Sequence, residues 1–243
     1  MATNLAKTVQ ELLDEFDAEL AAAIGSFHSW KAVNQLAAMR PELLRTLNAN
    51  ARSWNAIMHS HQVTLFVVLG RIFDTNKGTF NVHKFLDGCK ARVGEFSAAS
   101  FETRRIAGSR GVRPDYLTEF MKNYYAARPK DFEELEEQVA AHAKRFKTVY
   151  KPIRDQLMAH RNANAKALSS DLFKATDLSE VEKMLAFLHR VWAVVNELYM
   201  NGRKTDLVSH RYRRGETLEG DMESLLQRIK VDPAVSTARP RRP

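Results

Sequence analysis

The segment VYKPIRDQLMAHRNANAK, Val149 to Lys166, holds the residues best suited to chemistry in this chain. Arg154 is a permanent cation whose planar guanidinium can grip a phosphate through two parallel hydrogen bonds. His160 titrates near neutrality and can pass a proton. Asp155, beside the arginine, can orient either group. With Lys151 and Arg161 on the flanks, these residue types point to phosphate binding or phosphodiester chemistry.

Spacing alone carries little of this. For 22 arginines and eight histidines, random order gives roughly two Arg–His pairs with four to six residues between them, and the chain has three: Arg52–His59, Arg154–His160 and Arg203–His210. Charge sets the middle pair apart. Lys144 to Lys166 contains seven cations and one acid, +6 of the chain's formal +8. Just upstream, Asp131 to Glu137 has five acids in seven residues. The element is therefore polarised along its length, as a phosphate-facing end would be, with Lys144, Lys147, Lys151 and Arg161 flanking Arg154, Asp155 and His160.

Helical geometry constrains the pair further. His160 follows Leu157 on an apolar stripe, and Arg154 flanks that stripe next to Ile153. At about 100° per residue, six residues set the two side chains roughly 120° apart on a straight helix. They would line opposite walls of a groove between packed helices. A histidine on such a stripe also serves as a hydrogen-bonded core or interface residue, so both roles stay open at this point. His61, on another seam, reads as a core residue. His59 and His61 stand two apart on a helix and cannot share a metal there. No metal-ligand motif, phosphate-binding glycine loop, Ser–His–Asp or Cys–His pattern is present, so no metal and no cofactor are expected.

The totals read as a soluble globular protein. The chain has 243 residues, 27% of them charged, with 37 Lys and Arg against 29 Asp and Glu, a balance that favours anionic partners. Cys89 is the single cysteine. That excludes an intramolecular disulfide framework and a cysteine-based zinc cluster, and fits a reducing compartment. The first residues, MATNLAKTVQELLDEF, do not read as a signal peptide. The longest aliphatic run, Leu65 to Leu69, is far short of the roughly 20 residues that span a bilayer. A cytoplasmic location with no membrane contact is expected.

Apolar residues recur almost everywhere with helical period. A first helix is expected from Leu5 to Ile24, stopped by Gly25, and a second capped by Ser26. Pro41 opens a short third piece with Leu43 and Leu47. A long helix should cover Ala51 to Phe73, followed by a turn at Asp74–Gly78 and a short helix from Asn81 to Lys90. Ala91 to Arg113, with three glycines and a local charge of +4 counted from Lys90, reads as a mobile insertion. Pro114 starts a helix with Leu117 and Phe120. An Asp131/Glu134 capping box then opens the longest stripe, Phe132 to His160, which Pro152 should kink or restart. A linker from Asn162 to Thr176 leads to a helix capped by Ser179 and Glu182 and ended by Gly202. The result is an all-α antiparallel up-and-down bundle of four to five main helices. It forms one domain over 1–202, with a polar, basic tail over 203–243 carrying one short amphipathic piece, Leu218 to Ile229.

The stretch IRDQLMAHRNA, Ile153 to Ala163, resembles the signature of the HEPN superfamily (higher eukaryotes and prokaryotes nucleotide-binding domain). Together with LFVVLGRIFDTN, Leu65 to Asn76, a helix running into an Arg-x-x-Asp turn, it is similar to the abortive-infection AbiU-type branch. Arg154, Asp155 and His160 fit the pattern of an arginine, a polar residue and a later histidine. The resemblance spans roughly Leu5 to Met200. It implies a HEPN-like helical bundle, a homodimer with the motif at its interface, and metal-independent ribonuclease activity in phage defence or a toxin–antitoxin pair. It equally covers non-catalytic members that bind nucleic acid or a partner protein. On the catalytic reading, RNA's own 2′-hydroxyl attacks the adjacent phosphate. His160 moves protons as general acid or base, and Arg154, which cannot act as a base, stabilises the developing charge. A symmetric dimer supplies the second histidine. RNA, a second copy of the chain, and an antitoxin or other partner protein are the expected partners. A plain helical interaction protein with a structural Arg–His pair is the remaining alternative.

Overall fold

A computed structural model describes residues 7–76, 78–158 and 176–229. All regular elements among them are helical. No helix among the described residues is long and apolar enough to cross a membrane.

The central element is α1, Val9–Met39. Thr8 caps it: the Thr8 hydroxyl accepts from the Glu11 amide at 3.2 Å, and the Glu11 carboxylate accepts from the Thr8 amide at 2.7 Å. Contrary to the expectation from sequence, Gly25 does not stop this helix and Ser26 does not cap a new one. A helical glycine costs only about 1 kcal/mol relative to alanine. The buried face of Leu20, Ala23, Ile24 and Phe27 continues across it and outweighs that penalty. Pro41 does open a new helix, α2 (Pro41–Ala49), followed by α3 (Ala51–Ile72).

Next come α4 (Val82–Ala91), capped by the Asn81 side chain, a 3₁₀ turn Val93–Phe96, α5 (Ala98–Gly108) and the short α6 (Leu117–Met121). The stretch expected as a mobile insertion is thus folded. Phe96 and Phe101 are buried. Arg104 donates to the Glu95 carbonyl at 2.6 Å and the Tyr199 carbonyl at 2.9 Å, tying α5 to the far end of the bundle. Glycine content and positive charge concealed two aromatic anchors and an arginine that satisfies otherwise orphaned carbonyls.

Then follow α7 (Pro129–Arg145), the wide turns described below, α8 (Leu178–Asn201) and α9 (Arg214–Gln227). Two expected caps are shifted. Pro129 is the first residue of α7, and Asp131 reaches back to accept from the Arg128 amide at 2.7 Å. Asp177, not Ser179, caps α8, accepting from the Ser179 amide at 2.8 Å. Gly202 ends α8 in the left-handed region, at φ 51°.

The core is one apolar cluster built on Leu12, Phe16, Leu20 and Phe27 of α1, Leu65 and Leu69 of α3, Phe85 of α4, Phe132 and Val139 of α7, and Leu188 and Val195 of α8. A smaller cluster joins Val33, Leu36, Leu43, Leu47 and Leu226. Leu226 belongs to α9, so residues 203–229 do not hang off the bundle as a polar appendage. They return to α1 through a buried polar lock. His28, 1% exposed, bridges the Glu219 carboxylate at 2.6 Å and the Tyr212 hydroxyl at 2.8 Å, and Arg214 pairs with Asp17 at 2.7 Å.

Candidate nucleic-acid interface

Beyond Arg145 the chain keeps its helical sense but widens. Phe146–Tyr150 and Arg154–Met158 are π turns, separated by one ordinary helical turn, Lys151–Ile153. Pro152 has no amide hydrogen to give to the preceding turn. Widened turns accommodate a break in the i→i−4 ladder, and they occur frequently at functional sites. Thr148 helps here, its hydroxyl donating to the Lys144 and Arg145 carbonyls at 3.1 Å each. The expected proline disturbance is therefore present as a locally unwound segment.

Unwinding sorts the side chains. Phe146, Tyr150 and Ile153 turn into the core. Phe146 stacks on Phe73 with ring centroids 5.3 Å apart, and Tyr150 meets Phe66 at 6.4 Å, so the segment runs antiparallel to α3. The Tyr150 hydroxyl donates to Glu180 at 2.6 Å, fixing the segment to the start of α8. On the neighbouring face, Lys144, Lys147, Lys151 and Arg154 recur at intervals of three, four and three residues, which is one helical stripe.

That stripe forms one wall of a cleft of about 320 Å³. The opposite wall is the end of α3, with Gly70 and Phe73, and the turn residues Asp74 and Thr75. Arg154 is 23% exposed, its Nε donates to Asp155 Oδ1 at 2.7 Å, and its Nη2 lies 2.6 Å from the same oxygen. Its side chain lies directly on Gly70, where a Cβ would stand 2.4 Å from Arg154 Cδ and 2.5 Å from Nη1. Asp155 also pairs with Lys151. Burial pushes the Asp155 carboxyl up, but the hydrogen bonds from Lys151 and Arg154 outweigh it and hold the group below the usual range. Asp155 is thus an ionised clamp between two cations.

Lys144 and Lys147 are exposed and form no ion pair among the described residues, so their charge is open to an anion. Arg145 points elsewhere, with its Nη2 donating to Glu180 at 2.9 Å. Of the residues named from sequence, the structure brings together Arg154, Asp155, Lys144, Lys147 and Lys151. His160 and Arg161 lie outside the described residues. Sequence reasoning missed Gly70, Asp74 and Thr75 as the facing wall. Their signal was the Arg-x-x-Asp turn, which the structure splits. Arg71 turns away to pair with Glu19 at 2.9 Å, and Asp74 enters the cleft, accepting from the Asn76 amide at 3.0 Å.

Among the described residues, metal chemistry has one geometric candidate, elsewhere in the fold. His28, Glu182 and Glu219 place one ligand atom each within 4.8 Å of one another. Lys31 Nζ already stands 2.9 Å from both carboxylates, so an ammonium fills the position a metal would take. This set is an ion-pair network between α1, α8 and α9.

Among curated proteins and solved structures, nothing matches the chain. A family model described as AbiU2, of the HEPN class, matches residues 6–219. That span includes the α3 turn, the unwound Arg154 segment and the first part of α9, the elements that build the cleft and the lock. The chain therefore belongs to the AbiU2 family of HEPN domains, an abortive-infection-related helical module.

Proposed function

We propose that the protein is a metal-independent endoribonuclease of HEPN type, acting in phage defence, with RNA phosphates held in the Lys144–Lys147–Lys151–Arg154 cleft. The observation that carries this is the convergence of four cations on one cleft, with Arg154 held by Asp155 and seated on Gly70. A guanidinium fixed in this way needs little reorganisation to meet the charge that builds on a phosphorane. His160 follows Arg154 by six residues and supplies the proton transfers. A second copy of the chain supplies a second His160, so that one acts as base and the other as acid. Cleavage then leaves a 2′,3′-cyclic phosphate and a 5′-hydroxyl, with no atom required from a metal or cofactor.

The test is RNA cleavage by purified protein in the presence of EDTA, comparing wild type with His160→Ala. Wild type should cleave and the variant should not, with equal helical content and equal dimer mass. Equal cleavage by both, or none by wild type, overturns the catalytic assignment.

A second reading is favoured by one observation. The described lining of the cleft contains cations and Asp74 but no histidine. A non-catalytic module that binds nucleic acid would need no more than this. It predicts salt-dependent RNA binding without turnover, indifferent to His160.

A further inference from the structure

We propose that a second depression, between α1, α3 and the start of α8, is a recognition pocket for one single-ring nucleobase of the strand whose phosphates occupy the basic cleft. The pocket measures about 140 Å³ and is walled chiefly by Phe27, Trp30, Phe66 and Tyr150, with His61 and Gln62 among its polar groups. An apolar cavity of about 150 Å³ accepts one benzene ring, so the space suits a pyrimidine better than a purine. Trp30, partly exposed where Phe27, Phe66 and Tyr150 are buried, gives a flat guest its stacking surface.

The polar groups suit a pyrimidine edge. The indole N–H of Trp30, the imidazole of His61 and the amide of Gln62 have no hydrogen-bond partner among the described residues. Burial lowers the pKa of His61, so the ring is neutral at pH 7 and offers one donor and one acceptor. The Gln62 amide likewise donates and accepts, matching the alternating groups of a uracil or cytosine edge. A mostly apolar pocket with a few such groups is the usual form of a small-ligand site.

Placement links the pocket to the cleft. Gln62 and Phe66 line the pocket, and Gly70 and Phe73 line the cleft. These four recur at intervals of four, four and three residues, one stripe of α3. At 1.5 Å per residue, Gln62 and Gly70 are separated by about 12 Å along the helix, a span that a nucleotide and its neighbouring phosphate can cover. This link rests on the reading of the cleft as a phosphate site. The base pocket itself does not, because an uncharged nucleoside can occupy it alone.

The test has two arms. In the first, uridine and adenosine are titrated separately into the full-length protein, and the indole N–H resonances of its three tryptophans are followed by NMR, with Trp30→Phe to assign the reporting signal. Uridine should shift the Trp30 resonance and adenosine should not. In the second, labelled oligouridylate and oligoadenylate of equal length are compared by anisotropy. Wild type should prefer oligouridylate. Trp30→Ala should weaken oligouridylate binding about tenfold, and Gln62→Leu should weaken it as well while leaving the preference set by cavity size. Lys144→Ala/Lys147→Ala should weaken both oligomers alike. Absence of a Trp30 shift at millimolar uridine, an equal shift with adenosine, or an oligouridylate affinity unchanged by both Trp30→Ala and Gln62→Leu overturns the pocket. A Trp30 shift with uridine in a protein whose oligomer binding ignores the lysine variants sustains the pocket and overturns the cleft instead.

Discussion

Arg154 lies across the bare backbone of Gly70, so close that a Cβ at position 70 would stand 2.4 Å from Arg154 Cδ. Gly70 is buried in the last turns of α3, where glycine is about 1 kcal/mol worse than alanine. The fold accepts that penalty at the one place where α3 meets the guanidinium. Gly70→Ala should therefore displace Arg154 and weaken binding of a short RNA about tenfold, with helical content unchanged. Gly70→Ala/Arg154→Lys, in which a slimmer side chain meets the added methyl, should bind better than Gly70→Ala alone. Anisotropy titrations of the three proteins decide the matter. A Gly70→Ala protein with higher Tm and unchanged affinity would show the contact to be incidental.

Lys144 and Lys147 are exposed and carry no ion pair among the described residues, so removing them should leave stability unchanged within about 0.5 kcal/mol. Their loss should appear in the salt dependence of RNA binding. Each phosphate neutralised on a single strand contributes about −0.7 to the slope of log K against log salt. The double alanine variant should therefore have a slope shallower by roughly 1.4. An unchanged slope would place the RNA elsewhere.

The lock between α1 and α9 depends on close approach. A Cβ on Gly215 would stand 2.2 Å from His28 Cε1, and His28 is held on both sides by Glu219 and Tyr212. The ring cannot yield without losing those bonds. Gly215→Ala should destabilise the protein by about 1–3 kcal/mol and speed amide exchange in α9 and in α1 around His28. Exchange rates equal to wild type would mean that α9 docks by other contacts.

His189 gives the lock a pH dependence. Burial, reinforced by Arg214, lowers its pKa to about 4, and its Nδ1 has no hydrogen-bond partner among the described residues. The folded state therefore favours the neutral ring, while the unfolded chain protonates near 6.5. Its contribution is complete above pH 6.5 and is lost as pH falls towards 4. Allowing for solvent screening of a partly exposed ring, the loss is roughly 1–2 kcal/mol. Urea midpoints at pH 7.5 and 4.5 should differ less in His189→Phe than in wild type. An equal drop in both would assign the acid sensitivity to other groups.

Much of this architecture was legible in the sequence because helical period reports one-sided burial. Val9, Leu12, Leu13, Phe16 and Leu20 share a face, as do Val181, Met184, Leu188, Val191, Val195 and Leu198, and all are buried. The basic stripe was legible too, since Lys144, Lys147, Lys151 and Arg154 share a spacing and a sign. What escaped depends on partners distant in sequence. His28 meets Glu219 across 191 positions, and no local pattern marks either one. The α9 helix has few apolar residues and docks through polar contacts as well as Leu226, so it read as a tail. Gly70 carries no side chain to signal its role, and only the guanidinium lying on it gives that role away.

The most direct test of the central claim is single-turnover RNA cleavage by wild type, Arg154→Lys and Arg154→Ala, with products analysed for 2′,3′-cyclic phosphate. Lysine keeps the charge but loses the two-pronged grip, so cleavage should fall in the order wild type, lysine, alanine. The alanine variant should be slower by about 10²–10³, the usual effect of losing one transition-state donor. Equal rates for wild type and Arg154→Ala, or products without cyclic phosphate, would contradict it.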